Sequence, residues 1–179
     1  MSYMTRPLIA LALVAIGTSA STAHAQRSAG SKISVSAYNV YSGNSAGSSM
    51  RSARDYAGNY AQYAQSVPAE HFDPEVAREA ADAIGTYITK SRRHSAWMRT
   101  HAKETNDKET LASLDEIDKN LAAAAKSHHE MYEHGLKDNM DIATSIKHAQ
   151  VIDKPLAAAI AEHDKLMKKL AAKKPATPK

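Results

Sequence analysis

The stretch IATSIKHAQVIDKPLAAAIAEHDKLMKKL, residues 142–170, carries a proline at position 155 in the middle of a helical pattern. Proline lacks a backbone donor and its ring crowds the carbonyl four residues back, so it usually kinks or ends a helix. Yet Ile142, Ile146, Ala149, Asp153, Leu156, Ile160, His163, Met167 and Leu170 keep alternating spacings of four and three straight through it. A chain reversal has no reason to preserve that phase. The pattern therefore predicts one helix over residues 139–172, kinked at Pro155, as the third of three long helices. A reversal at Pro155 would instead give a four-helix bundle.

Two more helices precede it. Asp73-Pro74 reads as an N-cap followed by proline at the first helical position. Ala77, Ala81, Ile84, Ile88, Met98 and Ala102 mark a buried face to about residue 104, thinned by Ser91 and Ser95. Asn106 with Glu109 three residues later has the capping-box spacing. From there Leu111, Leu114, Ile117, Leu121, Ala125, His128 and Tyr132 carry the second helix to Gly135, and Asp138 or Asn139 caps the third. Helices of roughly 30 residues are about 45 Å long. Short turns make them antiparallel neighbours, so residues 74–172 are expected to form an all-α, up-down-up bundle.

The ends read differently. Residues 1–25 have the form of a secretory signal: Arg6, the apolar run Leu8 to Ile16, and Ala23-His24-Ala25 before a mature start at Gln26. Nine apolar residues fall well short of the roughly 20 that span a bilayer as a helix. The chain is expected to be exported, to the periplasm or beyond, and not to span a membrane. Residues 26–50, mostly Ser, Gly, Ala, Asn and Tyr, read as a flexible lead with too few aliphatics to offset ordering. In residues 51–67, Ala53, Tyr56, Tyr60, Tyr63 and Val67 recur at helical spacing, which suggests a short helix docking its tyrosines on the bundle. The chain has no cysteine, which removes disulfides, thiolate metal sites and C-x-x-C-H haem attachment.

The formal charge of +4 falls to +3 without Arg6. Five lysines, Lys168, Lys169, Lys173, Lys174 and Lys179, lie near the C-terminus, so the rest of the mature chain carries −2. The Lys/Pro-rich tail, residues 173–179, suits an anionic envelope component as partner. Export argues against nucleic acid.

Chemistry concentrates in HSAWMRTH, residues 94–101, where His94, Met98 and His101 share one helix face beside Trp97. Folding three helices up-down-up sets His101 and His163 on neighbouring helices at one height, flanked by Met98 and Met167. Imidazoles with thioethers form a soft nitrogen-sulfur donor set that suits a copper-type ion, with His94 in reserve. A b-type haem held by two histidines from different helices is a further reading of these residues, ranked below copper because it needs an apolar cavity that an alanine-rich bundle with one Phe and one Trp does not promise. In the second cluster, His128, His129 and His134 point in different directions from one helix, and His128 is expected to bond a neighbour such as Asp82. Asp118 is expected to pair with His94. No catalytic motif is present: Asp115, Glu116 and Asp118 read as a solvated face, and Glu-x-x-His pairs are missing. Two readings follow, neither an enzyme. One is an exported bundle binding a copper-type metal through His101, His163, Met98, Met167 and His94. The other is a coiled-coil-like structural or adaptor protein of the envelope, with histidines at seam edges and methionines filling gaps.

Overall fold

The computed structural model describes residues 35–136 and 141–172. The expected signal segment (residues 1–25), residues 26–34 of the expected lead, the expected caps at Asp138 and Asn139, and the tail 173–179 lie outside the described residues. Four helices account for nearly all of the rest: α1 (Val35–Ser66), α2 (Pro74–Glu104), α3 (Lys108–Glu130) and α4 (Ile142–Ala172). A 3-10 turn at Ala69–His71 joins α1 to α2, and a π-helical turn at Met131–Leu136 extends α3 past its last regular turn. Among the described residues there is no strand. The protein is an all-α bundle, as the hydrophobic spacing predicts.

Cross-helix pairs fix the topology. Tyr41 meets His94 and Tyr56 meets Tyr87, so α1 and α2 run antiparallel. Arg99 reaches Asp115 while His128 reaches Ala81, which reverses α3 against α2. Ser113 bonds Glu162 and His148 approaches Glu130, reversing α4 against α3. Finally, Arg51 bonds Asp164 and Tyr60 bonds Ser145, which closes α4 antiparallel onto α1. Each helix lies beside two neighbours, and among the described residues the backbones of the diagonal pairs α1–α3 and α2–α4 do not approach closely. The result is an up-down-up-down ring of four.

The fourth member is not the product of a break at Pro155. It is α1, and here the sequence expectation is corrected. Residues 35–50 were expected to be part of a flexible lead, and residues 51–67 a short helix; they form one helix of 32 residues. The expectation assumed that a helix must bring its own large aliphatics. α1 does the opposite. Its buried stripe is mostly small (Ser42, Gly43, Ala46, Gly47, Ser49, Ala53, Ala57, Ala61, Ala64), with Met50 and Tyr60 as its bulky members. Small residues let helix backbones approach, and the larger side chains of α4 fill the space from the other side. Burial is therefore shared unequally across the seam, yet it still removes apolar surface from water. The tyrosine stripe also divides: Tyr60 is in the core, while Tyr56 is 43% exposed and Tyr63 half-buried against Phe72.

α4 continues unbroken through Pro155, as its phase predicts. Its buried line is Ser145, Ala149, Ile152, Leu156, Ala159, His163 and Leu166, so Ile152 rather than Asp153 points inward. That rotation of about one position follows from α1: α4 must face two neighbours, and its buried arc centres between them. The helix starts match their caps closely. Asp73 accepts from Glu75 N at 2.9 Å with Pro74 at the first turn. Asp107, not Asn106, caps α3, accepting from Thr110 N at 3.1 Å, and Asp141 does the same for Thr144 N in α4. Asn106 takes the left-handed turn between α2 and α3 (φ 51°), a conformation that asparagine tolerates better than most residues.

Candidate functional site

His163 lies on α4 facing α1 and is only 3% exposed. Its Nε2 is 2.8 Å from the carbonyl oxygen of Gly43, so that nitrogen carries the hydrogen and donates it. Its Nδ1 lies 3.2 Å from Asp164 Oδ1, and Asp164 holds Arg51 of α1 at 2.6 Å. Burial pushes the Asp164 carboxyl up, but its contacts with Arg51 and His163 outweigh this and hold it below the usual aspartate range. The ring fits because Gly47 has no side chain: a Cβ there would stand 2.5 Å from His163 Cε1. One turn on, Met167 lies against Gly43 in the same way.

His128 repeats the arrangement on the other side of the bundle. Its Nε2 donates to the carbonyl of Ala81 at 2.8 Å, and its ring lies where a side chain at Gly85 would stand. In both cases the acceptor carbonyl is four residues before the glycine. The expected partner Asp82 is not used, because the backbone carbonyl beside the glycine is nearer the ring than a side chain exposed one residue further on.

The α2 donors go elsewhere. Met98 is in the core at 1% exposure. His94 packs edge-on to Trp97, with ring centres 4.9 Å apart, and to Tyr41 at 6.3 Å. Its Nδ1 is buried with no hydrogen-bond partner. Burial, helped by the charge of Arg93, lowers its pKa and favours the neutral ring. Asp118, expected to pair with His94, is instead held with Asp115 by the guanidinium of Arg99 at 2.7 Å. A forked guanidinium bridging two carboxylates is the stronger arrangement. His101 Nδ1 lies 3.0 Å from Glu104 Oε2.

The five expected metal ligands thus have different surroundings: His163 and Met167 lie against glycines of α1, His94 against Trp97 and Tyr41, His101 beside Glu104, and Met98 in the core. His163 lies against Gly43 and Gly47 of α1, the level at which α1 meets α2 through Ala46 and Ser91 rather than His101. In addition, α1 stands between the two helices, which makes α2 and α4 diagonal rather than adjacent. Both ring nitrogens of His163 already face oxygen atoms of the protein. Among the described residues, no group of three or more His, Asp or Glu side chains could hold a metal ion.

The surface carries a different signal, which the sequence reading passed over. From Asp55 to Asp82 the only Lys or Arg is Arg78, against six carboxylates; from residue 83 to 103 there is no carboxylate at all. On the outer side of α2 this leaves Lys90, Arg92, Arg93 and Lys103 exposed around Trp97, which is 41% exposed. Two shallow clefts of about 380 and 440 Å³ run along this side between α2 and α3, sharing Thr89 and Arg93. A third cleft, of about 270 Å³, lies between α1 and α2 at their acidic end, lined by Tyr56, Tyr63, Val76 and Glu79. A count of charge by position along α2 would have revealed the first of these features. Comparison with known protein families, characterised proteins and solved structures finds no match to the chain.

Proposed function

We propose that this is an exported, non-catalytic helical-bundle protein of the cell envelope that acts by binding, as an adaptor or structural component. The observation that carries this reading is the use made of the buried imidazoles. His163 and His128 each commit the Nε2 hydrogen to a backbone carbonyl and so fasten one helix to the next. That leaves the divided surface, acidic at one end of α2 and basic along the rest, as the part of the molecule that can engage others. No helix among the described residues is long and apolar enough to cross a membrane, which is consistent with a surface-acting role.

The copper reading keeps one supporting observation: the buried, unpartnered Nδ1 of His94, one helical turn from Met98. Untagged protein, incubated with Cu(I) or Zn²⁺ and then desalted, separates the two. An adaptor retains much less than one metal ion per chain and melts at an unchanged temperature. Stoichiometric copper that is weakened by Met98→Leu and lost in His94→Ala would establish the metal reading instead. Fractionation of the native host, with sequencing of the mature N-terminus, tests export; an uncleaved cytoplasmic chain would remove the envelope assignment.

A further inference from the structure

We infer that the outer face of α2 between Thr86 and Lys103 is a docking surface for an anionic phospholipid bilayer. The exposed side chains along this face are Thr86, Thr89, Lys90, Arg92, Arg93, Ala96, Trp97, Thr100 and Lys103. Four are cations and none is an acid. Lys90, Arg93 and Trp97 follow one another at i, i+3 and i+7, so they form a single stripe along the helix. Tyr41 of α1, 65% exposed, continues the aromatic edge beside His94 and Trp97.

Helix-dipole stabilisation accounts for Lys103, in the last turn of α2, but not for the other cations. That effect fades within the last turn, and Arg92 and Arg93 lie about three turns before the end of α2. Nor are they structural ion pairs. Among the described residues, Arg92, Arg93 and Lys103 make no salt bridge, and Lys90 contacts only the Tyr87 ring, at 5.1 Å from its centre. The two carboxylates at the clefts do not cancel them: Asp118 is held by Arg99, and Asp82 sits at the far edge, one turn before Thr86.

Unpaired arginines beside an exposed tryptophan and tyrosine suit one environment in particular. The cations attract phosphate headgroups, and the amphipathic rings settle at the boundary between headgroup and acyl chain. Because α2 lies along the side of the bundle, it can rest flat on the bilayer without rearrangement. Each basic residue near an anionic surface strengthens binding about fivefold, so the face as a whole suffices for reversible attachment. The inference rests on the export reading only in that export brings the chain to such a surface.

Trp97 is the only tryptophan in the chain, so its fluorescence reports this face alone. The full-length exported chain is mixed with phosphatidylcholine vesicles, or with the same vesicles containing phosphatidylglycerol. The expected result is co-sedimentation and a blue shift of Trp97 emission with the anionic vesicles only, both lost at high salt. The double variant Arg92→Ser/Arg93→Ser should bind roughly 25-fold more weakly. Both residues are exposed, so its circular dichroism and melting should match the parent. A chain lacking residues 173–179 should keep the blue shift. The inference is overturned if anionic vesicles leave Trp97 unshifted, if tail removal abolishes the shift and the arginine variant does not, or if soluble polyphosphate gives the same shift. Failure here leaves the adaptor reading standing, since that is decided by metal content and fractionation.

Discussion

The imidazole of His163 and the carbonyl of Gly43 meet at 2.8 Å across the α1–α4 seam, and the contact exists because Gly47, one turn further along α1, yields its side-chain space to the ring. A helix whose buried stripe is mainly Gly, Ser and Ala is thereby anchored by side chains that belong to its neighbour. The same relation ties His128 to Ala81 and Gly85 across α2 and α3.

Gly47→Ala should be destabilising, although alanine is the better helix former. Its Cβ would meet the rigid imidazole at 2.5 Å, forcing the ring off the Gly43 carbonyl. A cost of about 1–3 kcal/mol is expected from overpacking and the lost hydrogen bond. Gly43→Ala meets only the end of the flexible Met167 side chain and should cost less. Gly58→Ala has open space around it and should stabilise by about 0.5–1 kcal/mol. Urea denaturation of the three variants gives the order directly; a neutral Gly47→Ala would mean that the ring is not held.

Pro155→Ala should raise the melting temperature without altering topology. Pro155 sits inside a continuous helix, and the carbonyl it deprives of a partner belongs to Val151, whose side chain is 49% exposed. Restoring the donor and relieving the ring's clash should contribute about 1–3 kcal/mol. A lower melting temperature would show that α4 needs the proline to face both neighbours.

Removing residues 35–66 should do more than weaken the protein. α1 covers the ring of His163 and packs along both α2 and α4, so its loss uncovers a continuous apolar seam. The truncated chain is expected to bind hydrophobic dyes and to lose its cooperative thermal transition while keeping helical circular dichroism. A sharp melt in that variant would restore the three-helix arrangement first read from the sequence.

Acid should destabilise the protein in two stages. The folded pKa of His94 is depressed below 6.5, so between that value and its folded pKa the unfolded chain binds more protons. The stability this neutral ring provides is present above 6.5 and lost as pH falls below it. Asp164 and Glu162 are also depressed, against ordinary values of 3.8 and 4.5, so their contribution persists to lower pH. It disappears only as pH falls through their lowered folded values. His94→Phe should remove the first stage and leave the second, measured as urea midpoints at about pH 7, 5 and 3. An unchanged first stage would assign it to another histidine.

Much of the bundle was legible because the relevant signals are local. Asp73-Pro74 marks the start of α2, and the unbroken phase through Pro155 marks α4 as one helix. α1 was illegible over residues 35–50 because its stabilising partners are not in its own sequence: Gly43 and Gly47 read as loop formers until Met167 and His163 are seen against them. The candidate ligands were affected by the same omission. Counting residues along three helices sets His101 beside His163, whereas His163 lies at the level where Ala46 of α1 meets Ser91 of α2. Adjacency depends on how many helices share the ring, and one uncounted helix turned neighbours into diagonals. The basic face of α2 needed no structure at all to be noticed, only attention to where carboxylates stop.

The matched histidine and glycine pairs also bear on how the helices find their axial position. The buried stripe of α1 continues through Ala53, Ala57, Ala61 and Ala64, and such a surface looks nearly the same after sliding by one turn. The imidazoles end that degeneracy. Sliding α4 along α1 by a turn would carry His163 from its glycine towards Arg51 in one direction, and the corresponding shift of α3 would drive His128 towards Ala81 or Thr89. On α2 a single notch at Gly85 accepts the ring of His128, while on α1 Gly43 and Gly47 accept Met167 and His163 as a pair, and with the two seams on opposite sides the assembly behaves like a keyed shaft: smooth along its length, yet seated at one setting.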